Sequence, residues 1–222
     1  MKINYFVWVL FLTTCFSSAY AAEYELDPAH TAVTFKIRHL LSNVNGTFDK
    51  FEGHFSYTPD KPEEWKVEAK IATDSINTHQ EQRDKHLKSA DFFDVEHYPE
   101  MTFKSTRVSN YKNGRAQLHG ILSLHGVEKE IVLDLEVLGL EKDPWGNELA
   151  GFSATTVINR KDFGLTWNQL AESGKLLVGE EVLISIDVEG KTIASQAPEE
   201  AAAADTTETV SEEEAAAEKP VS

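Results

Sequence analysis

The chain has 222 residues, a formal net charge of −16 and a single cysteine, Cys15. That charge opposes nucleic acid and anionic lipid surfaces as partners. A domain beginning after Cys15 has no disulfide, thiolate metal site or cysteine nucleophile available, and must build its core from packing alone.

Residues 1–21 read as a targeting segment. Lys2 gives a small positive start, residues 5–12 form an apolar run too short to span a bilayer, and Ala19-Tyr20-Ala21 is a small-x-small cleavage site. The pattern predicts export through a cleavable signal peptide and a mature chain from Ala22, with no stable membrane insertion after cleavage. An uncleaved anchor would need a longer apolar run, and Thr14 before Cys15 fits a lipoprotein signal poorly. At the other end, residues 195–222 hold eight acidic residues, one lysine and no aromatic, the composition of a disordered acidic Ala/Glu-rich tail, either simply solvated or partner-binding. One domain, 22–194, lies between.

The domain opens with a turn at Asp27-Pro28 and then alternates. Val33, Phe35 and Ile37 face one way and Thr34, Lys36 and Arg38 the other, as in a half-buried strand, and His39 keeps the apolar phase. Ser42-Asn43-Val44-Asn45-Gly46 reads as a turn. From Thr47 to Tyr57, Phe51, Gly53, Phe55 and Tyr57 share a phase, with Gly53 marking a bend. After the loop Thr58-Pro59-Asp60-Lys61-Pro62, residues 65–76 alternate through Val67, Ala69 and Ile71. Thr78-His79-Gln80-Glu81 has the form of a capping box, with Thr78 as N-cap of a short polar helix that runs to about Lys88 and is anchored by Leu87. Asp91-Phe92-Phe93-Asp94 then sets two aromatics in a loop, which reads either as a plug or lid over an opening or as an ordinary connection whose aromatics complete the core. Strands follow over 101–108, 115–124, 127–140, 149–160 and 180–189, punctuated by Asn113-Gly114, His125-Gly126 and Asp143-Pro144-Trp145-Gly146-Asn147.

About eight antiparallel strands, one short helix and no βαβ unit predict an all-β fold. Closing such a sheet into a barrel removes its edges, and eight strands enclose either packed side chains or one small ligand. A sandwich is the structural alternative; the long strands and mid-strand glycines favour the curved, closed sheet. The candidate cavity lining is Val33, Phe35, Ile37, Phe51, Phe55, Val67, Ile71, Phe103, Leu122, Leu133, Leu135, Phe152, Ala154 and Ile158. Gly53, Ala69, Ala116, Gly120 and Ala154 on the same faces would leave room for an apolar chain. Two polar residues keep the inward phase, His39 and Arg160. A buried guanidinium needs a partner. Asp84 or Asp91 would supply one, locking the helix to the barrel; alternatively His39, Asp84, Phe92, Phe93 and Arg160 form a mouth that receives a head group.

No catalytic residue or metal site is assigned. His30, His39, His54, His79, His86, His97, His119 and His125 show no HxH, HExxH or paired Cys/His spacing, and read as scattered structural histidines. There is no G-x-S-x-G and no glycine-rich phosphate loop, so no cofactor is called for.

The motifs together resemble the YceI-like family over about residues 24–190. They are Asp27-Pro28-Ala29-His30-Thr31 with Phe35 and His39; Ser75-Ile76-Asn77-Thr78; Arg83-Asp84-Lys85-His86-Leu87; Asp91-Phe92-Phe93-Asp94; Pro99-x-Met101-x-Phe103; Gly120-x-Leu122-x-Leu124-x-Gly126; and Arg160-Lys161-Asp162-Phe163-Gly164-Leu165. The resemblance implies an extended lipocalin-like barrel with an elongated apolar cavity. It also implies a periplasmic location, a stress association without an established enzymatic step, and a long-chain amphiphile as partner: a polyisoprenoid, isoprenoid quinone or fatty-acid derivative. It allows a homodimer, with no interface legible here. A non-enzymatic lipid carrier is the leading expectation. The alternatives are an enzyme acting on such a lipid, and a structural or scavenging module without a single ligand.

Overall fold

The computed structural model describes residues 21–193. The expected targeting segment, up to residue 20, and the acidic tail from 195 lie outside them. In chain order the strands are β1 (Ala22–Leu26), β2 (Ala32–His39), β3 (Ser42–Phe48), β4 (Phe51–Tyr57), β5 (Lys66–Ala72) and β6 (Ile76–Asn77). Then come helix α1 (Glu81–Lys88), β7 (Glu100–Lys112), β8 (Arg115–Leu124), β9 (Val127–Lys142), β10 (Glu148–Asn159) and β11 (Val178–Thr192).

The sheet closes. Its order β1-β4-β5-β7-β8-β9-β10-β11 returns from β11 to β1, and every pairing is antiparallel. The remaining three strands extend the same walls: β2 continues β1 along β11, β3 precedes β4, and β6 follows β5. The result is an eight-walled up-and-down barrel in which three walls are broken. Alternation drives the enclosure. In β8, Ala116, Leu118, Gly120, Leu122 and Leu124 are all buried, while the residues between them are partly exposed. Asn113-Gly114 and His125-Gly126 both have positive φ at each central position, so the two hairpins on either side of β8 close as the sequence predicts.

Several local expectations shift. The stretch read as a turn at Ser42–Gly46 is strand β3, and the reversal lies at Leu40-Leu41, where Leu40 has φ 46°. The run expected from Thr47 to Tyr57 breaks at Asp49-Lys50. Asp27-Pro28 is not the start of the sheet but the corner between β1 and β2. Helix α1 is capped by Gln80, whose side chain accepts the Arg83 N–H, rather than by Thr78.

The corner at Asp27 clasps the barrel's seam. Asp27 is buried; its carboxylate accepts the Ala29 N–H at 2.9 Å and meets His30 Nδ1 at 3.0 Å and Lys191 Nζ at 2.6 Å. These partners hold the carboxyl well below the usual carboxylate range, the Lys191 and His30 contacts foremost. Thr31 adds a reciprocal pair, its hydroxyl donating to the Glu189 carbonyl and accepting the Glu189 N–H.

Candidate ligand-binding site

The barrel encloses a cavity of about 570 Å³, within the range of small-molecule sites. Its two ends differ. At the end carrying the β4–β5 and β7–β8 turns, aromatic rings stack into a plug. Tyr24 lies parallel to Phe55 with centroids 5.1 Å apart; Phe152 meets Phe55 and Tyr57 edge-on; Trp65 packs on Tyr57 and Tyr111. Trp65 Nε1 donates to the Thr58 carbonyl, and the Tyr24 hydroxyl to Glu148, so the polar edges of these two rings are satisfied.

The opposite end is where α1 and the long β10–β11 connection sit. The histidine, glutamine and arginine side chains of the cavity wall all come from this end: His39, Gln80, Gln82, Arg83, His86 and Arg160. Phe92 and Phe93 close over it. Phe93 meets Phe48 edge-on, and Phe92 packs 5.0 Å from Trp167, with His86 perpendicular to both Phe92 and Trp167. Most of these polar groups are already engaged. Arg83 donates from Nε to the Thr78 hydroxyl and from Nη2 to the Thr78 carbonyl. His86 Nε2 lies 2.9 Å from Asp91.

All fourteen residues expected to line the cavity lie on its wall, as do His39, Phe92, Phe93 and Arg160. Asp84 does not. It turns onto Thr78, accepting both its backbone N–H and its hydroxyl. Neither Asp84 nor Asp91 pairs with Arg160. Instead the 3₁₀ turn Arg160–Phe163 ends at Gly164, and the chain folds back so that Arg160 Nη1 donates to the Leu165 carbonyl and Nε to the Gly179 carbonyl. Arg160 is only 3% exposed, and its Nη2 has no partner among the described residues. Burial pulls the guanidinium below its ordinary pKa, with Glu180 opposing. Glu180 itself is held by Lys161 at 2.5 Å.

The small residues divide. Ala69 and Ala154 face the cavity, but Gly53, Ala116 and Gly120 do not line it. A Cβ on Gly120 would overlap the Phe103 ring, so this glycine admits a phenylalanine rather than a ligand. Sequence reading also missed wall residues outside strand periodicity, above all Trp167 in the β10–β11 connection, where an aromatic in a polar loop was the available signal. Asp27, His30 and Glu189 approach metal-site spacing, but Lys191 Nζ already sits on Asp27, and the group serves as the seam clasp.

The YceI-like domain model matches residues 24–190. The chain belongs to the YceI-like family. A UPF0312 protein of Vibrio cholerae serotype O1 is 43% identical over 151 residues, spanning 67% of this YceI-like chain and 80% of its own. The crystal structure of a Campylobacter jejuni YCEI protein, 36% identical, superposes with a TM-score of 0.61 over 76% of this chain and 96% of that one. A polyisoprenoid binding domain from Saccharophagus degradans, implicated in plant cell wall breakdown, shares the fold at 16% identity and TM-score 0.56, over 78% of this chain and 99% of its own.

Proposed function

We propose that this YceI-like protein is a periplasmic lipid-binding protein that holds the tail of a long-chain amphiphile inside its barrel, with the head toward α1. The observation that carries this is the closed barrel around an apolar cavity of about 570 Å³, plugged by aromatics at one end and polar at the other. Burying an alkyl or isoprenyl chain there is favourable by about 0.8 kcal/mol per CH₂, enough for tight binding without chemistry. The shared fold of a polyisoprenoid binding domain points the same way. Export rests on the first 21 residues of the sequence. Binding is favoured over catalysis because the polar wall groups are largely committed to structure: Thr34 and Ser56 donate to backbone carbonyls, and Arg83 to Thr78.

Native mass spectrometry of protein purified from its own periplasm, followed by extraction and mass analysis of released material, tests this. One co-purifying long-chain amphiphile is the expected result. An empty barrel, or a mixture of unrelated lipids, would overturn the carrier reading in favour of a structural or scavenging role.

A further inference from the structure

The charge of the cavity is inverted relative to the protein. The chain as a whole carries −16, yet among the described residues no aspartate, glutamate or lysine lines the cavity, whereas two arginines do. Arg83 is spent on Thr78. Arg160 is not: two of its nitrogens brace the chain at Leu165 and Gly179, and Nη2 keeps a donor without an acceptor on a buried, cavity-lining side chain. A buried donor without a partner is costly, and a buried cation without a counter-charge more so. The nearest acid that influences it, Glu180, is engaged by Lys161. The backbone carbonyls orient the guanidinium but leave its charge unbalanced. An anionic oxygen is the complement that satisfies both the donor and the charge, and arginine's planar fork suits carboxylate and phosphate alike.

Resting on the lipid-binding reading, we infer that the cargo is an anion: a carboxylate or phosphate monoester on a long apolar chain, its head held by Arg160 at the α1 end of the cavity. A neutral quinone or alcohol would leave the cation uncompensated.

The test compares ligands that share a chain and differ in the head: oleate against oleyl alcohol, and geranylgeranyl phosphate against geranylgeraniol. The wild-type protein is expected to bind at least one anion about tenfold to a hundredfold more tightly than its alcohol, as a buried charge-assisted hydrogen bond would give. Which pair shows the preference distinguishes fatty acid from prenyl phosphate. In Arg160→Met the affinity ratio of anion to alcohol should fall to about one. Equal binding of anions and alcohols by the wild-type protein overturns the anion assignment and leaves the lipid reading standing; binding of none of the four overturns both. Parallel loss of anions and alcohols in a folded Arg160→Met protein marks Arg160 as a brace and overturns the assignment. Should that variant not fold, oleate labelled with ¹³C at its carboxyl carbon reports on the wild-type protein directly. The bound carboxylate should stay ionised to lower pH than free oleate, and an unshifted titration overturns the proposal.

Discussion

Ala154 sits midway along β10, buried and facing the cavity, paired with Leu135 on one side and Ile186 on the other. Ala154→Trp would direct an indole into the space proposed for the ligand tail. Because the added volume enters a cavity rather than packed core, the expected loss of stability is below the ~1–3 kcal/mol usual for overpacking, while ligand binding is abolished. Thermal melts and lipid binding on the same preparation check this; a folded variant that binds normally would remove Ala154 from the site. Gly120→Ala is the contrasting case. There the new methyl would overlap the Phe103 ring and crowd the Lys104 carbonyl, so a loss of about 1–3 kcal/mol is expected in denaturant unfolding. Arg160 marks the limit of what residue identity reveals. Its phase places it inside the barrel, but its partners are backbone carbonyls and not the aspartates that its charge suggests. One carbonyl is presented by the turn at Gly164 and the other by β11, and neither has a signature in side-chain chemistry.

At the scale of elements, regular alternation was legible and its interruptions were not. The inner faces of β2, β8, β9 and β10 follow directly from the period of two. β1 escaped because five residues with only Tyr24 and Leu26 as large apolar positions carry too short a pattern, and β3 escaped because its serine, asparagines and glycine are turn residues by composition. The break between β1 and β2 carries its own prediction. The Asp27 carboxylate ties the corner to Lys191 on β11, so Asp27→Ala should destabilise the protein by about 1–3 kcal/mol, leaving partners unsatisfied at the seam. The pH dependence has two limbs. Asp27 is depressed in the folded state, so its contribution is present above the ordinary carboxylate pKa and is lost as pH falls through the folded value. His30 is raised, chiefly by its bond to Asp27, so its contribution is present below the ordinary imidazole pKa and fades as pH rises through the folded value. Chemical denaturation from about pH 2 to about pH 9 should therefore show both limbs flattened in Asp27→Ala. An unchanged profile would mean that the clasp does not stabilise the barrel.

For the whole molecule, the decisive quantity is the length of the enclosed space, which no local pattern encodes. Alternation says that an inner face exists. It does not say whether that face meets itself or surrounds a void, because the answer depends on how eight walls and the aromatic plug fit together. The cavity sets a scale for the cargo. At about 30 Å³ per water-sized group, 570 Å³ accommodates roughly 20 carbon-sized groups. Affinity for straight-chain carboxylates should therefore rise by about fourfold per added CH₂ while the tail is still filling the barrel. It should level off near a total of roughly 20 heavy atoms, where the aromatic plug of Tyr24, Phe55, Tyr57, Trp65 and Phe152 stops further entry. Displacement of a fluorescent fatty acid by a series of increasing chain length measures both slope and plateau. A flat series would mean that the tail is not inside the barrel. A rise that continues well past the plateau would mean that the aromatic end opens to let the chain through. In that case, replacing Trp65 by alanine should leave the series unchanged, whereas with a firm plug the same substitution would deepen the cavity and shift the plateau to longer chains.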